Sequence, residues 1–310
     1  MAPEVLTDKR WVRAKGQGME IVLLGSAGQL GLALWGALGS FARVTAFDRG
    51  SLDVANVGAL REALRAARPA VVVNAAAFTD VDGAEQDEEA AMLVNRDAVE
   101  AMGEECRRLG AGLVHYSTDF VFDGKASRPY REDDPTGPLG AYGRSKLAGE
   151  QALAASGAPA IVLRTAWLYS PRRRSFVASI LRLARERETL RVVSDQAGSP
   201  TFAGDLACAT ALLLYGMRGD PFGAIDEARG VYHLAGGGVA TRFELATATI
   251  ADDPGSSEHR VRHVEPVSTA AYPLPAPRPA FAPLDCEKIR ARFGIALPSW
   301  RDALARALRQ

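Results

Sequence analysis

Residues 19–31 read Met-Glu-Ile-Val-Leu-Leu-Gly-Ser-Ala-Gly-Gln-Leu-Gly, an apolar run followed at once by spaced glycines. The run 21–24 is short and rich in branched apolar side chains, as a strand covered on both faces is. Gly25, Gly28 and Gly31 recur at every third position, and Gln29 and Leu30 open a helix. Glycines so placed permit a tight turn, close approach of backbone to a pyrophosphate, and close packing of helix on strand. The helix start adds unpaired N–H groups and the positive end of its dipole. Strand, glycine turn and helix in this order predict a dinucleotide site at the head of an α/β sheet.

Further runs of the same kind lie at 44–47, 71–74, 113–116 and 161–164, with helical stretches at 56–68, 85–109 and 142–155. Strand alternating with helix predicts a Rossmann-like, doubly wound parallel sheet with helices on both faces and right-handed crossovers. After about residue 170 the rhythm weakens. Prolines gather at 266–283, which excludes sheet interior and long helix. The expected division is a nucleotide-binding domain over 19–170 with a return segment near 200–235. Residues 171–199 and 236–310 then form a smaller C-terminal substrate-binding lobe. Residues 1–18 carry no apolar core of a secretory signal, and read as a disordered extension or a start placed upstream of the working fold.

The chain has 310 residues, with 37 Lys plus Arg against 37 Asp plus Glu. This balance excludes the basic footprint of a protein that lives on nucleic acid or on an anionic membrane. No apolar stretch approaches the roughly 18–20 residues of a membrane span. Cys106, Cys208 and Cys286 are odd in number and match no metal-ligand spacing, which predicts a reduced, cytoplasmic protein without a metal.

Candidate site residues cluster at the expected strand ends. Asp48 stands twenty residues after Gly28, where an acid accepts from an adenine-ribose hydroxyl. Its neighbour Arg49 would instead pair with a 2′-phosphate, so the two point in opposite directions on NAD and NADP. The alternative reading of the pair is a charged surface turn. Asp53 is a further candidate near the adenine. Ala75, Ala76 and Ala77 follow the third strand, and their small side chains let a cofactor lie close across the sheet edge. Tyr142 and Lys146 are four apart, on one helix face. An ammonium close to a phenol lowers its pKa toward the working range. Ser117 and Thr118 end the fourth strand and offer a hydroxyl to a substrate oxygen. Together these residues predict hydride transfer at a carbonyl or alcohol.

Several motifs carry a resemblance: GSAGQLG at 25–31, VVNAAAFTDVDGAE at 72–85, HYSTDFVFDG at 115–124, PLGAYGRSKLAGE at 138–150, and RTAWLYS at 164–170. SDQAGSPT at 194–201, GVYHLAG at 230–236 and AYPLPAPRP at 271–279 extend it. By these the chain resembles the extended short-chain dehydrogenases/reductases, and among them the dTDP-4-dehydrorhamnose reductase family. The resemblance implies reduction of the 4-keto group of a nucleotide sugar by NADPH or NADH, with NADPH slightly favoured. It selects Thr118 over Ser117 and implies Tyr142 as proton donor and Lys146 as the ribose-binding partner that tunes it. Gly28, Gln29 and Leu30 would meet the pyrophosphate, with Ala75, Ala76, Ala77 and Tyr116 along the cofactor. Asp119 and Trp167 would face the sugar, and Arg278 the diphosphate. Phe78 stands where histidine is common in the family. Members that dimerise through magnesium hold it by glutamates, and the matching positions here fall at Ala33 and near Gly204. This implies a monomer, or a homodimer without a metal bridge. Two other readings stay open: a nucleotide-sugar epimerase or dehydratase of the same superfamily, and a non-catalytic subunit resembling the regulatory subunit of methionine adenosyltransferase.

Overall fold

The computed structural model describes residues 18–171 and 173–309. The expectation for residues 1–18 therefore falls, Gly18 apart, outside the described residues. The first half of the chain alternates β1 (Met19–Leu24), α1 (Gln29–Gly39), β2 (Ala42–Phe47), α2 (Val57–Ala67) and β3 (Val71–Asn74). Then follow α3 (Val81–Gln86), α4 (Glu88–Met92), a π-helical turn at Leu93–Asp97, α5 (Ala98–Leu109) and β4 (Gly112–Thr118). A 3₁₀ turn at Asp119–Val121 precedes α6 (Ala141–Ser156) and β5 (Ala160–Thr165).

Past β5 the elements shorten: β6 (Leu168–Tyr169), α7 (Phe176–Glu186), β7 (Thr189–Val193), β8 (Ala197–Gly198) and β9 (Thr201–Phe202). α8 (Ala203–Gly216), α9 (Pro221–Glu227) and β10 (Gly230–His233) follow. The chain closes with β11 (Ala240–Thr241), α10 (Arg242–Ala251), β12 (His263–Val267), α11 (Glu287–Phe293) and α12 (Trp300–Ala307).

The central sheet has six strands in the order β10-β5-β4-β3-β1-β2, every pair parallel. Its side chains alternate between faces. Ile21, Leu23, Val73 and Val114 pack under α1 and α8, while Val22, Leu24, Val72 and Leu113 pack under α2 and α5. Burial on both faces explains why the strands are continuous apolar runs. The chain steps from β1 outward to β2, then back across to β3. This reversal leaves a crevice at the C-terminal ends of β1 and β3, the place where open α/β sheets bind ligands.

The helix expected over 85–109 is interrupted. Asp87 leaves helical geometry and caps α4 through its carboxylate, which accepts from Ala90 N–H at 2.9 Å. The π turn then brings Asn95 into the interior, 1% exposed. There its carboxamide accepts from Phe78 N–H at 2.9 Å and donates to Phe78 C=O at 3.1 Å and to Ser145 Oγ at 2.9 Å. These bonds tie the loop after β3 to α6, an alignment that a regular helix of the same residues would miss. Pro266 lies in β12, which pairs only with β7 in a separate two-stranded sheet, an edge setting that tolerates proline. Tyr169, Val177, Leu245, Trp300 and Leu304 form a smaller apolar cluster beyond the main sheet.

Candidate active site

The glycine turn is built as a cradle. Gly25 has φ +79°, and a Cβ there would lie 2.6 Å from the backbone nitrogen of Ala76. A Cβ on Gly31 would lie 2.1 Å from the Gly25 carbonyl oxygen, so glycine alone lets α1 pass this close to the turn. Gly25 and Ser26 both donate their N–H to Phe47 C=O, at 2.8 and 2.9 Å, which anchors the turn to the end of β2. Gly28 is the N-cap of α1 and offers no side-chain cap. Gln29 Oε1 is buried with no hydrogen-bond partner. Bare helix-start N–H groups, small residues at 75–77 and an unpartnered buried acceptor fit a dinucleotide laid across this edge.

Asp48 and Arg49 sit at the end of β2 beside this turn. The Asp48 carboxylate accepts from Ser51 N–H and Ser51 Oγ, both at 2.8 Å. These bonds hold it below the usual carboxylate range. Arg49 reaches Asp53 at 3.4 Å, and Asp53 also accepts from Ala55 N–H. The Tyr116 ring lies in the core, with its hydroxyl 2.7 Å from Thr210 Oγ1, so this residue meets the site through its backbone carbonyl.

At the end of β4 the strand period separates the hydroxyl pair. Ser117 Oγ turns inward and donates to Glu150, which is also gripped by Arg164 at 2.6–3.2 Å. Thr118 faces the opposite way. Its hydroxyl donates to Asp119 Oδ1 at 3.0 Å, accepts from Phe120 N–H at 3.2 Å, and is near enough to the Tyr142 phenol to lower its pKa. Tyr142 and Lys146 share one face of α6. Gly140 has no side chain to cap this helix, and Glu85 of α3 does so from outside by accepting from Ala141 N–H at 2.7 Å. Gly143 lets the helix slide against the 3₁₀ turn, since a Cβ there would lie 2.3 Å from Phe120 O.

Electrostatics differ from the expectation of a phenol lowered by its lysine. Burial raises the Tyr142 phenol to about 12, with the Asp119 charge adding to it and the Thr118 bond opposing. Lys146 Nζ is drawn to Tyr116 C=O at 2.7 Å and lies 3.3 Å from His115 Nε2. Burial pulls its ammonium down to about 8, with Glu150 opposing. The phenol therefore holds its proton across the neutral range, as a proton donor must.

Beside Asp119 and Trp167, the residues expected to face a sugar, lies a cation that the sequence did not mark. Trp167 has φ +43°, an uncommon backbone for a non-glycine residue and one that clusters at functional sites. The Arg242 guanidinium lies 3.6 Å from the Trp167 ring centre and 5.0 Å from that of Phe176. Among the described residues it meets rings and no carboxylate at ion-pair distance. Burial lowers it to about 10, while the charge of Asp119 supports it and that of Arg278 opposes it. Asp119 is 1% exposed; burial raises it to about 7, and its Oδ2 has no partner. Arg278, the expected diphosphate contact, binds Asp82 at 2.7 and 2.8 Å and Ala276 C=O at 2.5 Å. Nothing in the sequence marked Arg242, because the fold alone lays the start of α10 over Trp167. Phe78 and Tyr142 pack on Ala84, Ala91 and Ala141. A groove of about 750 Å³ at the far edge of β10, lined by Arg131, Glu132, Asp133 and Lys288 among others, touches none of these residues.

A doubly wound parallel sheet with a glycine cradle and a Thr-Tyr-Lys set at its C-terminal edge defines a short-chain dehydrogenase/reductase. The chain belongs to the RmlD substrate binding domain family, which matches residues 19–310. It is 42% identical over 295 residues to a dTDP-4-dehydrorhamnose reductase of Burkholderia thailandensis, covering 94% of this chain and 98% of that protein. To the dTDP-4-dehydrorhamnose reductase of Escherichia coli K12 it is 38% identical over 297 residues, again covering 94% and 98%. The crystal structure of the dTDP-4-dehydrorhamnose reductase of Bacillus anthracis in complex with NADP superposes with a TM-score of 0.85 at 30% identity, covering 94% of this chain and 98% of that one.

Proposed function

We propose that this protein reduces the 4-keto group of dTDP-4-dehydro-β-L-rhamnose with NAD(P)H to give dTDP-L-rhamnose. The observation that carries the reading is full-length similarity to reductases of that name, together with the intact Thr118, Tyr142 and Lys146 set. The bound nicotinamide supplies the hydride for carbon 4 of the sugar. Tyr142, held as a phenol by burial, gives its proton to the sugar oxygen. Thr118 holds that same oxygen in line, and Lys146 restores the proton. Asp119 and Trp167 wall the sugar, and the partnerless Asp119 Oδ2 is available to a sugar hydroxyl.

At the anion end we assign the direct diphosphate contact to Arg242. Arg278, already held by Asp82, supports the positive potential from behind. The cofactor lies along Gly25–Gly31, Ala75–Ala77 and the Tyr116 carbonyl, with Asp48, Arg49 and Asp53 at its adenosine end. NADPH is the preferred form in this reading, with the exposed Arg49 guanidinium offered to a 2′-phosphate. Residues 19–170 with the return segment near 200–235 act as the nucleotide half. The remaining C-terminal segments act as the sugar-nucleotide half. The reading includes a cytoplasmic location. No helix among the described residues is long and apolar enough to cross a membrane. It also includes a monomer or a homodimer with no metal bridge, since the early-helix position is Ala33 and the later one falls near Gly204. The mass in solution by light scattering should then be the same with and without EDTA.

The test is a coupled assay. dTDP-glucose, the upstream dehydratase and the epimerase are combined, and NADPH or NADH oxidation is followed at 340 nm with and without this protein. Oxidation that needs both upstream enzymes, with dTDP-rhamnose identified by mass, supports the reading. No oxidation with folded protein and confirmed upstream product rejects it.

A further inference from the structure

Behind Lys146 lies a buried chain of polar groups for which the reaction above has no use. Asn74, His115 and Lys146 are 1%, 0% and 2% exposed. The chain starts at a group that can only donate: Ala76 N–H points at Asn74 Oδ1 at 3.0 Å. That contact fixes the carboxamide, so Asn74 Nδ2 faces His115 Nδ1 at 3.0 Å as a donor. His115 Nδ1 must then accept, and a neutral ring carries its hydrogen on Nε2. Burial, and after it the Lys146 charge, keep the ring neutral by holding its pKa well below the ordinary value. The Nε2–H points at Lys146 Nζ, 3.3 Å away.

An ammonium has three donors and no acceptor, so opposite Nε2–H it meets a second donor. An amine has a lone pair and accepts that hydrogen. Flipping the carboxamide moves the conflict without removing it, because Ala76 N–H would then face an NH₂ group. The set is satisfied throughout only when Lys146 is an amine.

We propose that His115 is a positioning residue for Lys146, a fixed Nε2–H donor that favours the amine over the ammonium and makes the lysine a readier proton donor. The kinetic part of this rests on the reductase reading above. After Tyr142 has passed its proton to the sugar oxygen, one N–H bond of the Lys146 ammonium breaks. One O–H bond forms on the Tyr142 phenolate, directly or through a hydroxyl between them. No electrons change hands, and the amine left behind takes the His115 hydrogen bond. The other groups facing Lys146 do not duplicate this effect. Tyr142 and Glu150 lie on its own helix, and the Glu150 charge is shared with Arg164 of β5 and with Ser117. β4 also presents the Tyr116 carbonyl, which accepts from either form of the lysine.

Two measurements test the inference. Long-range ¹H–¹⁵N correlation on the wild-type protein reports the tautomer of His115 and needs no turnover. An Nε2–H ring is expected, and an Nδ1–H ring overturns the proposal. The second compares pH profiles of kcat/KM for wild type and His115→Gln, whose amide can turn its carbonyl to the lysine. The alkaline limb should move up by about one pH unit, a tenfold change in the ionisation constant. An unmoved or lowered limb in a folded variant overturns the proposal. If the wild type turns over no nucleotide sugar, the reductase reading fails and the tautomer measurement still decides the inference.

Discussion

Ser117 and Thr118 are neighbours on β4, and the two-residue period of a strand sends one hydroxyl to Glu150 and the other to Asp119 on the opposite side. At this scale the chemistry rests on Tyr142. Tyr142→Phe keeps the ring and removes the proton, so kcat should fall by about 10²–10⁴ with cofactor affinity unchanged. Stopped-flow fluorescence and steady-state rates read the two separately, and near-normal kcat would remove Tyr142 from its role. Arg242→Gln should weaken dTDP binding by about tenfold to a hundredfold, the range of one charge-assisted hydrogen bond, with a smaller effect on kcat. Trp167, stacked under that guanidinium, provides the fluorescence signal for the titration. Equal dTDP affinity in the variant would send the diphosphate elsewhere.

Among the elements, α6 matters most because it carries both Tyr142 and Lys146. Its placement depends on three contacts from outside the helix: the Glu85 cap, the Asn95 bond to Ser145, and the close pass of Gly143 over Phe120. Gly143→Ala separates local from tertiary preference. Helix propensity alone favours alanine by about 1 kcal/mol. The contact opposes it, since a Cβ 2.3 Å from a backbone oxygen forces the helix and the 3₁₀ turn apart. Displacement of Tyr142 from Thr118 by about 1 Å should lower kcat by about 10²-fold. A variant with raised Tm and wild-type kcat would show that the helix does not depend on this contact. The Asp87 cap and the inward turn of Asn95 explain why three helical pieces and a π turn formed where one helix was expected over 85–109. Helical periodicity is a local signal, whereas the inward turn of Asn95 answers polar groups on Phe78 and Ser145 that are remote in sequence.

For the whole molecule, buried titratable groups set the response to acid. Burial holds His115 well below its ordinary pKa and brings His233 to about 3. A histidine depressed in the folded state leaves the extra proton on the unfolded chain, so its contribution is present above about pH 6.5 and is lost as pH falls. Asp119, raised to about 7 by burial, has the opposite sign, and its contribution is lost as pH rises through that value. With two histidines set against Asp119, the unfolded chain's lead grows from about a quarter of a proton at pH 6.5 to about one proton at pH 5. Stability should therefore fall on acidification across that window, with a slope that steepens to about 1.4 kcal/mol per pH unit near pH 5. Asp119→Asn removes the opposing group and should steepen the slope toward twice that value. Urea melts at several pH values measure both, and a flat dependence would contradict the buried neutral histidines.

The choice of Thr118 over Ser117 rests on the family resemblance; read alone, the sequence determined the parallel α/β class, the glycine turn at 25–31 and the pairing of Tyr142 with Lys146 on one helix face. Each of these is written in short-range spacing: apolar runs, glycines at every third position, side chains four apart on a helix. Tertiary structure decided what depends on neighbours remote in the chain. It buried Tyr142 and raised its phenol against the expectation of a lowered one. It tied Arg278 to Asp82 and laid Arg242 on Trp167. It also set Asn74 and His115 behind Lys146. Burial and hydrogen-bond partners follow from packing across the sheet, and no local spacing encodes them.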